Sequence, residues 1–371
     1  MKKFILWLSV MFIFIFSSTS FAKNNQQNLD MVKSYLVTFH SSVDTDLIKS
    51  NGGKIKKNYK NIPVVAVDMS VNTKQKLASN PKVAYIEEDS KIEVHGQVIP
   101  WGITHIRAID VQQTGITGSG IKVGILDTGI DYSHEDLNVS GGTTFVSGTT
   151  DYMDDNGHGT HLAGIVASLN NSVGVIGVAP QVNLYAVKVL DRYGNGNYSN
   201  LIAGIDWAIS NNLNIINMSL GGNNSSNALK AAVDRAFNAG ILLIASAGNN
   251  GFNKKGNICY PAAYDSVIAV GAVDGQNNRA SFSSVGRQLD LVAPGVDILS
   301  TIPGDYGYNS GTSMATAHVT GVAALVWEVN NNLGNINLRN ILFNSSTKLG
   351  DPFLYGYGLV NTMNALNYIS K

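Results

Sequence analysis

The sequence predicts an α/β fold, a parallel sheet covered by helices on both faces, preceded by a small α+β unit. Short, largely apolar runs recur along the chain, and amphipathic stretches separate them, as expected for strands buried on both faces. The runs occupy residues 121–126, 184–189, 215–218, 241–245 and 267–270, and the clearest helical stretches occupy 200–210 and 227–238. Ligands bind such sheets at the carboxyl ends of the strands, so the chemistry is expected there.

Composition excludes several classes of protein. Of the 371 residues, 44% are apolar and 14% are charged, which argues against a disordered chain or a coiled coil. The 26 Lys and Arg residues equal the 26 Asp and Glu residues, so the basic surplus of a nucleic-acid-binding protein is absent. A single cysteine excludes a disulfide framework and any metal site built from several thiolates.

Residues 1–22 have the pattern of a secretory signal peptide. Lys2 and Lys3 precede a 13-residue apolar run at 4–16, and small residues then lead to Ala22, after which cleavage is expected. A retained membrane anchor is the alternative, but the run is shorter than the roughly 20 residues that span a bilayer. We therefore expect a secreted, extracellular protein that has no membrane attachment once the signal is removed.

The rest of the chain divides by charge into residues 23–95 and 96–371. The first part has eleven Lys and eight Asp or Glu, a net charge of +3, and the second has a net charge of −5. Opposite net charges indicate two parts that dock together. The pattern of the first part predicts β-α-β-α-β, with or without a further strand at 54–59, and therefore a ferredoxin-like unit. Its strands are expected at 34–39, 62–69 and 83–86, and its helices at 44–51 and 72–79, the second capped by Asn72 or Thr73.

Three glycine-flanked junctions in residues 96–371 carry reactive side chains. Asp127 directly follows the apolar run at 121–126. His158, in Asn-Gly-His-Gly-Thr-His, precedes a helical stretch at 162–169, and Ser313, in Ser-Gly-Thr-Ser-Met-Ala, precedes one that begins at Ala315. Glycine at such places lets the backbone approach a substrate closely.

These three residue types together can perform nucleophilic catalysis. A serine hydroxyl is a weak nucleophile until a base takes its proton, and imidazole has a suitable pKa at neutral pH. A carboxylate on the other ring nitrogen fixes the tautomer and stabilises the imidazolium. We therefore assign Ser313 as nucleophile, His158 as base and Asp127 as the residue that orients the base. Ser313 also begins a helix, whose free N–H groups favour a developing oxyanion.

The motifs Asp127-Thr-Gly, His158-Gly-Thr-His and Gly311-Thr-Ser-Met-Ala, in the order Asp, His, Ser, resemble the signatures of the subtilases. The resemblance to secreted bacillus-type subtilisins covers residues 96–371, and residues 23–95 resemble their inhibitory propeptide, which also acts as a folding chaperone. It implies a subtilisin-like fold and a serine endopeptidase of broad specificity that forms an acyl-enzyme intermediate with protein and peptide substrates. Ala317 departs from the family, which usually has Pro there.

The same resemblance implies an oxyanion hole and a substrate cleft. Asn249 would donate its side-chain amide to the oxyanion together with Ser313. In subtilisin itself, the source of this magnitude, losing the matching amide costs about 3–4 kcal/mol of transition-state stabilisation. Two edge segments would pair with the substrate backbone. The residues implied in substrate binding are Gly194, Gly196, Tyr198, Ser219, Leu220, Gly221, Ala247, Gly248, Asn250 and Cys259.

Cys259 stands where subtilisins commonly have Gly, near the base of the pocket for the residue before the scissile bond. Its CH₂–SH group would make that pocket shallower and more polarizable. Medium side chains such as Leu and Met would then be favoured over Phe and Tyr. A buried packing cysteine with no role in specificity is the alternative.

A structural calcium ion is also implied by the resemblance. It would be held by the mature N-terminus and a loop after the helix of His158, and it would take no part in catalysis. The implied ligands are all hard oxygen donors: the side chains of Gln97, Asp136 and Asn171 and the carbonyls of Leu169, Val173 and Val175. An ordinary polar turn is the alternative for the loop. A second, weaker cation site would use carbonyls near Ala262, Tyr264 and Val267.

Maturation is expected to be self-catalysed. Alignment with the family's mature N-terminus puts the cut between His95 and Gly96, which leaves a mature enzyme of 276 residues. The segment at 87–95 would then bind in the active site like a substrate, so the propeptide would act as an intramolecular inhibitor. We expect the mature enzyme to be a monomer with no nucleic-acid partner.

Three other functions compete with this interpretation. His158 and His161 could hint at a metallohydrolase, although their i, i+3 spacing and the absence of a Glu base depart from the His-Glu-x-x-His pattern. The chain could also be a catalytically inactive binding protein, which the intact triad and oxyanion positions disfavour. An esterase would use the same acyl chemistry, but two extended Gly-rich segments suit peptide strands better.

Overall fold

The computed structural model describes residues 31–90, 96–251 and 256–369. They form two compact units, which lie within Met1–Val94 and His95–Lys371. The predicted signal peptide at 1–22 lies outside the described residues, and so does His95 at the predicted cleavage junction. The small unit contains one apolar cluster, and the large unit contains two.

The small unit is a four-stranded antiparallel sheet with two helices. Its elements are β1 (Val32–Phe39), α1 (Thr45–Ser50), β2 (Lys54–Asn58), β3 (Val64–Ser70), α2 (Val71–Ala78) and β4 (Val83–Glu88). The strand order is β2-β3-β1-β4, with every pairing antiparallel. Tyr35, Val37 and Phe39 alternate along β1 and pack with Ile48 of α1 and Leu77 of α2. The predicted ferredoxin-like unit is confirmed, including its further strand at 54–58.

The cap of helix α2 differs from the prediction. Ser70, the last residue of β3, accepts a hydrogen bond from Thr73 N at 3.1 Å, so it is the N-cap instead of Asn72 or Thr73. An N-cap residue keeps extended backbone angles, and one serine can therefore end a strand and begin a helix.

The large unit is built on a seven-stranded parallel sheet. Its strands are β5 (Lys122–Asp127), β6 (Val139–Thr144), β7 (Asn183–Lys188), β8 (Ile215–Met218), β9 (Leu242–Ser246), β10 (Val267–Val273) and β11 (Leu291–Pro294). The strand order is β11-β10-β9-β8-β5-β7-β6. All five predicted apolar runs are strands of this sheet, four of them with one or both ends moved by one to three residues.

Helices cover both faces of the parallel sheet. They are α3 (Trp101–His105), α4 (Ala108–Gln112), α5 (His158–Ala167), α6 (Tyr198–Ser210), α7 (Asn227–Asn238), α8 (Thr312–Val329), α9 (Gly334–Ser345), α10 (Pro352–Tyr355) and α11 (Thr362–Ile369). Ile125 and Leu126 are neighbours in β5 yet belong to two separate apolar clusters. The first cluster includes α5 and α8, and the second includes α6 and α7. The predicted fold, a parallel sheet with helices on both faces, is confirmed.

The helix starts nearest the predicted chemistry come earlier than the sequence pattern indicates. Helix α5 begins at His158 instead of residue 162, and α8 begins at Thr312 instead of Ala315. Between them the chain adds an antiparallel hairpin, β12 (Ile298–Ile302) and β13 (Asp305–Asn309).

Within the described ranges, no helix combines the length and apolar character that a membrane crossing requires.

Candidate active site

Asp127 and His158 meet at the carboxyl edge of the parallel sheet. Asp127 is the last residue of β5 and is fully buried, and His158 is the first residue of α5. His158 Nδ1 lies 2.7 Å from Asp127 Oδ1, which also accepts the Thr128 amide at 2.8 Å. A carboxylate at Nδ1 leaves Nε2 as the ring nitrogen available to act as a base.

Two glycines allow this close approach. A Cβ on Gly159 would overlap the carbonyl oxygen of Gly129, so the turn after β5 and the first turn of α5 pack backbone against backbone. Gly129 also has a φ of 106°, which a residue with a side chain adopts only with strain. Glycine at these positions of the Asp-Thr-Gly and His-Gly-Thr-His motifs is therefore a packing requirement.

The pKa of His158 is set by opposing effects. Burial lowers it, but the Asp127 carboxylate raises it through charge and hydrogen bonding, and Asp154 adds to this, so the pKa of His158 lies above its ordinary value of 6.5. The imidazole side chain is 26% exposed, so it can reach a group in the cleft. A base with a raised pKa takes a proton more readily but remains protonated up to a higher pH.

Ser313 lies in the first turn of α8, close to the end of β8. Its hydroxyl donates to the Ser219 carbonyl at 3.2 Å, while the Ser219 hydroxyl donates to the Ser313 carbonyl at 2.9 Å. Asn217 Nδ2 donates in turn to the Ser219 hydroxyl at 3.0 Å, and Thr320 of α8 donates to Asn217 Oδ1 at 3.0 Å. These buried side chains fix the backbone of Ser313 against the sheet.

Asn249 is oriented by the residue before Ser313. Thr312 donates both its amide, at 3.0 Å, and its hydroxyl, at 2.9 Å, to Asn249 Oδ1. Because both bonds use the oxygen, the Nδ2 donor of Asn249 points away from them. Asn249 and Ser313 line the same cavity, so an acceptor bound in that cavity could accept a hydrogen bond from Asn249 Nδ2.

Two cavities share the segment from Ser219 to Asn223. The larger, of about 700 Å³, is lined by His158 and by the predicted Gly194, Gly196, Tyr198, Ser219, Leu220 and Gly221. The smaller, of about 330 Å³, is lined by Ser313 with the predicted Ser219, Leu220, Gly221, Gly248, Asn249, Asn250 and Cys259. Of the predicted substrate-binding residues, Ala247 lines neither cavity. It is fully buried, and its carbonyl accepts the Cys259 amide at 2.9 Å.

Comparison with known proteins agrees with this arrangement. A family model described as the subtilase family matches residues 118–358. The chain belongs to the subtilase family. A second model, described as peptidase inhibitor I9, matches residues 17–95.

Several relatives are similar to this chain over most of its length. Subtilisin NAT of Bacillus subtilis subsp. natto is 46% identical over 97% of this chain and 98% of its own. Subtilisin DY of Bacillus licheniformis is 55% identical over 71% of this chain and 97% of its own length. M-protease of Shouchella clausii is 49% identical over 82% of this chain and 79% of its own length. The chain is therefore a subtilisin-type serine endopeptidase made with an inhibitor-type propeptide.

The subtilase contains site residues that the sequence analysis missed. Asp154 accepts five hydrogen bonds, from the hydroxyls of Thr128 and Thr160 and the amides of Asn156, Gly157 and Thr160. The Thr128 hydroxyl that donates to Asp154 also accepts the Gly159 amide at 2.9 Å. These bonds hold the strand end of Asp127 against the loop of His158. The position of Asp154, four residues before His158 in a polar loop, was the only sequence signal.

Tyr198 joins the two edge segments of the cleft. Its hydroxyl donates to the Asn224 carbonyl at 2.6 Å, and a Cβ on Gly222 would lie only 2.6 Å from the Tyr198 oxygen. Gly222 therefore makes room for the Tyr198 hydroxyl. This contact connects the segment that carries Gly194 and Gly196 with the one that carries Ser219 and Leu220.

Cys259 lies next to Gly221 and Gly248, which also line the smaller cavity. A Cβ on Gly248 would be 2.5 Å from Cys259 Sγ, and a Cβ on Gly221 would be 3.0 Å from Cys259 Cβ. The residue is 7% exposed, and burial raises the pKa of its thiol. The thiol thus occupies space in the cavity as a neutral group, and it donates to Asn223 Oδ1 at 3.8 Å.

The six predicted calcium ligands converge in the large unit. Gln97 Nε2 lies 2.5 Å from the Leu169 carbonyl, 3.0 Å from that of Val175, and 3.2 Å from the Val173 carbonyl and from Asn171 Oδ1. Asp136 is fully buried and accepts Asn171 Nδ2 at 2.9 Å and the Val175 amide at 3.0 Å. Several hard oxygen donors gathered at one point, with a buried carboxylate, fit a calcium ion.

The other predicted cation positions carry less structural support. Ala262, Tyr264 and Val267 are buried, and the Tyr264 carbonyl accepts the Val267 amide at 3.0 Å. His161, considered above as a metal ligand, lies 3.0 Å through Nε2 from the Ile298 carbonyl, and burial lowers its pKa to about 4. In the described ranges, no three His, Cys, Asp or Glu side chains are grouped to hold a metal ion.

The raised pKa of His158 predicts the acid side of the pH profile. The neutral imidazole is lost as pH falls through that pKa. On acidification, kcat/KM should therefore start to decrease while the pH is still above 6.5. Asp127→Asn removes the main raising effect and should move this limb to lower pH, with a drop in kcat of about 3 × 10⁴-fold, the cost of losing the matching Asp in subtilisin. Asp151→Asn, at an exposed carboxylate bonded to Tyr132, is the matched control. An unmoved limb in Asp127→Asn would contradict the assignment.

Proposed function

We propose that this subtilase is a secreted, calcium-stabilised endopeptidase of broad specificity that processes its own precursor, with Asp127, His158 and Ser313 as its triad. The observation that carries the proposal is the 2.7 Å contact between the buried Asp127 carboxylate and His158 at the edge of the sheet. His158 lines the larger cavity together with Ser219, and Ser219 lines the smaller cavity together with Ser313.

In the proposed reaction, Ser313 Oγ turns from the Ser219 carbonyl toward the imidazole. As Oγ bonds to the substrate carbonyl carbon, His158 Nε2 takes the hydroxyl proton. Asn249 Nδ2 and the Ser313 amide donate to the resulting oxyanion. His158 then gives the proton to the leaving amine as the C–N bond breaks, and water releases the acyl group by the same steps. Asp127 remains ionised throughout.

Broad specificity follows from recognition of the substrate backbone. The cleft is bounded by glycine-rich edges, around Gly194 and Gly196 on one side and Gly221 and Gly222 on the other. An extended peptide can pair with such edges as an added strand, largely independently of its sequence. Side-chain selection would then depend on Tyr198 and on the smaller cavity that contains Cys259.

Calcium would tie the mature N-terminus to the loop after α5. The two segments already pair, because Val98 N donates to the Gly174 carbonyl at 2.7 Å and Ile176 N donates to the Val98 carbonyl at 3.2 Å. Gln97, Asp136 and Asn171, with the carbonyls of Leu169, Val173 and Val175, would hold the ion. Its contribution is structural, and no step of the reaction uses it.

Calcium should stabilise the folded enzyme. Since it binds only the native state, a concentration 100-fold above its Kd adds about 2.7 kcal/mol to the free energy of unfolding. We expect a chelator to lower the Tm of the mature enzyme, measured after inactivation with a serine-directed phosphonate to prevent autolysis. Asp136→Asn should reduce this response, whereas Asp110→Asn, at an exposed pair with Arg107, should keep it. A Tm that the chelator leaves unchanged contradicts the proposal.

Self-processing predicts that the nucleophile is needed for maturation. In a protease-deficient host, Ser313→Ala should accumulate a 349-residue precursor, the chain without residues 1–22, instead of a 276-residue mature form. Ser310→Ala, at an exposed serine bonded to Asp297, should mature normally. Adding active enzyme should cleave the Ser313→Ala precursor in trans. Mature-size product formed by purified Ser313→Ala alone would exclude self-cleavage.

Cys259 should restrict the size of the residue before the scissile bond. Cys259→Gly enlarges the smaller cavity and should raise the ratio of kcat/KM for Phe over Leu substrates about tenfold or more, because one methylene-sized space changes discrimination by about 1–3 kcal/mol. Cys259→Ser keeps the volume and is the matched control. A ratio that is the same in Cys259→Gly as in the wild type would place the thiol outside the specificity pocket.

A further inference from the structure

We propose that Lys188 is a positioning residue for the Asp127–His158 pair, acting through the Thr128 carbonyl and the Asp155 carboxylate. Lys188 is the last residue of β7 and lies opposite Asp127 in the parallel register of β5 and β7. It is 1% exposed. A lysine so completely buried is rare and requires partners for its charge.

One partner of the ammonium is next to Asp127 in the chain, and the other is close to His158. Lys188 Nζ donates to the Thr128 carbonyl at 2.5 Å and to Asp155 Oδ1 at 2.6 Å. Thr128 directly follows Asp127, and Asp155 lies three residues before His158. The ammonium therefore connects the end of β5 with the loop that leads into α5.

Thr128 is the residue through which this connection reaches Asp127. Its amide donates to Asp127 Oδ1 at 2.8 Å, so a shift of its peptide groups moves the hydrogen bond that orients the carboxylate. Asp154 already holds the Thr128 hydroxyl at 2.9 Å. Lys188 holds the carbonyl, and the consecutive carboxylates Asp154 and Asp155 thus fix the residue at two separate points.

The chemistry of the position favours a cation over an apolar residue. A side chain of similar size without charge, such as Met, would fill the space but would leave the buried Thr128 carbonyl without its donor. Asp155 is 47% exposed, so water can solvate its carboxylate if the lysine is lost. The main cost of losing Lys188 therefore falls on the backbone next to Asp127.

The inference rests on the proposed roles of Asp127 and His158, and kinetics of mature enzyme, corrected by active-site titration, test it. Lys188→Met should lower kcat about 10- to 100-fold, since small misplacement of catalytic groups has effects of this order. KM should change by less than twofold, because the substrate contacts remain. The acid limb of kcat/KM should move to lower pH as the Asp127–His158 contact loosens. Lys188→Arg, which keeps a buried cation, should restore most of the activity.

Two further variants complete the design. Lys122→Met is the matched control, because Lys122 lies at the opposite end of β5 and donates to the Asn211 carbonyl at 3.3 Å. Asp155→Asn weakens the same bridge from a half-exposed loop position and should give a smaller change in the same direction. It carries the test if Lys188→Met fails to mature. Its combination with Lys188→Met should be no worse than Lys188→Met alone.

The outcomes separate this inference from the proposed mechanism. A lower Tm with unchanged kcat and an unmoved acid limb, in Lys188→Met or in Asp155→Asn, would show that the bridge is only structural and would overturn the inference. Asp127→Asn is measured in parallel. If it retains full activity, the proposed triad fails. If it is inactive while the lysine variants behave like wild type, only the positioning role fails.

Discussion

The buried Asp127 carboxylate is the constraint on which the active site depends. An ionised carboxylate without water is costly unless hydrogen bonds and opposite charge compensate it. Asp127 Oδ1 accepts Thr128 N and faces His158 Nδ1, whereas the buried Oδ2 has no hydrogen-bond partner among the described residues. The turn after β5 must therefore pack tightly against the start of α5, which only glycine at positions 129 and 159 allows.

Helix ends act on the two proposed catalytic groups in opposite ways. His158 stands at the N-terminus of α5, whose partial positive charge disfavours an imidazolium, typically by 0.3–1 kcal/mol, which is less than one pKa unit. The Asp127 carboxylate outweighs both this effect and burial, since the pKa of His158 is raised. At Ser313, the same end of α8 requires no such correction, because free N–H groups there favour the oxyanion.

The sequence predicted the layers of the fold and the carboxyl edge at which Asp127 and His158 meet, but not the contacts that hold these residues. Continuous apolar runs identify the strands of a doubly covered sheet, and glycine-flanked Asp127, His158 and Ser313 stand at their carboxyl edge. The starts of α5 and α8 were placed too late because their first turns, with His158 and Thr312, carry polar residues and break the apolar periodicity. Asp154 lies in a loop, where no periodicity indicates which way a side chain points.

Lys188 shows the limit most clearly. Within the run at 184–189 a lysine is read as the one solvated position of a strand, because charged residues are rarely buried. Its burial follows from the neighbouring strands and from Asp155, which is distant in sequence. The hairpin of β12 and β13 was missed for a related reason, since Gly307 interrupts the alternation that would predict a strand.

The proposed calcium ion and the catalytic groups are separated by helix α5. The loop that supplies Leu169 and Asn171 follows the C-terminus of this ten-residue helix, and His158 begins it. At 1.5 Å per residue the helix is about 15 Å long, so the ion would not contact the reacting atoms. A cation there meets the partial negative end of the helix, where its charge is favourable. The ion would therefore stabilise the fold from the end of α5 opposite to His158.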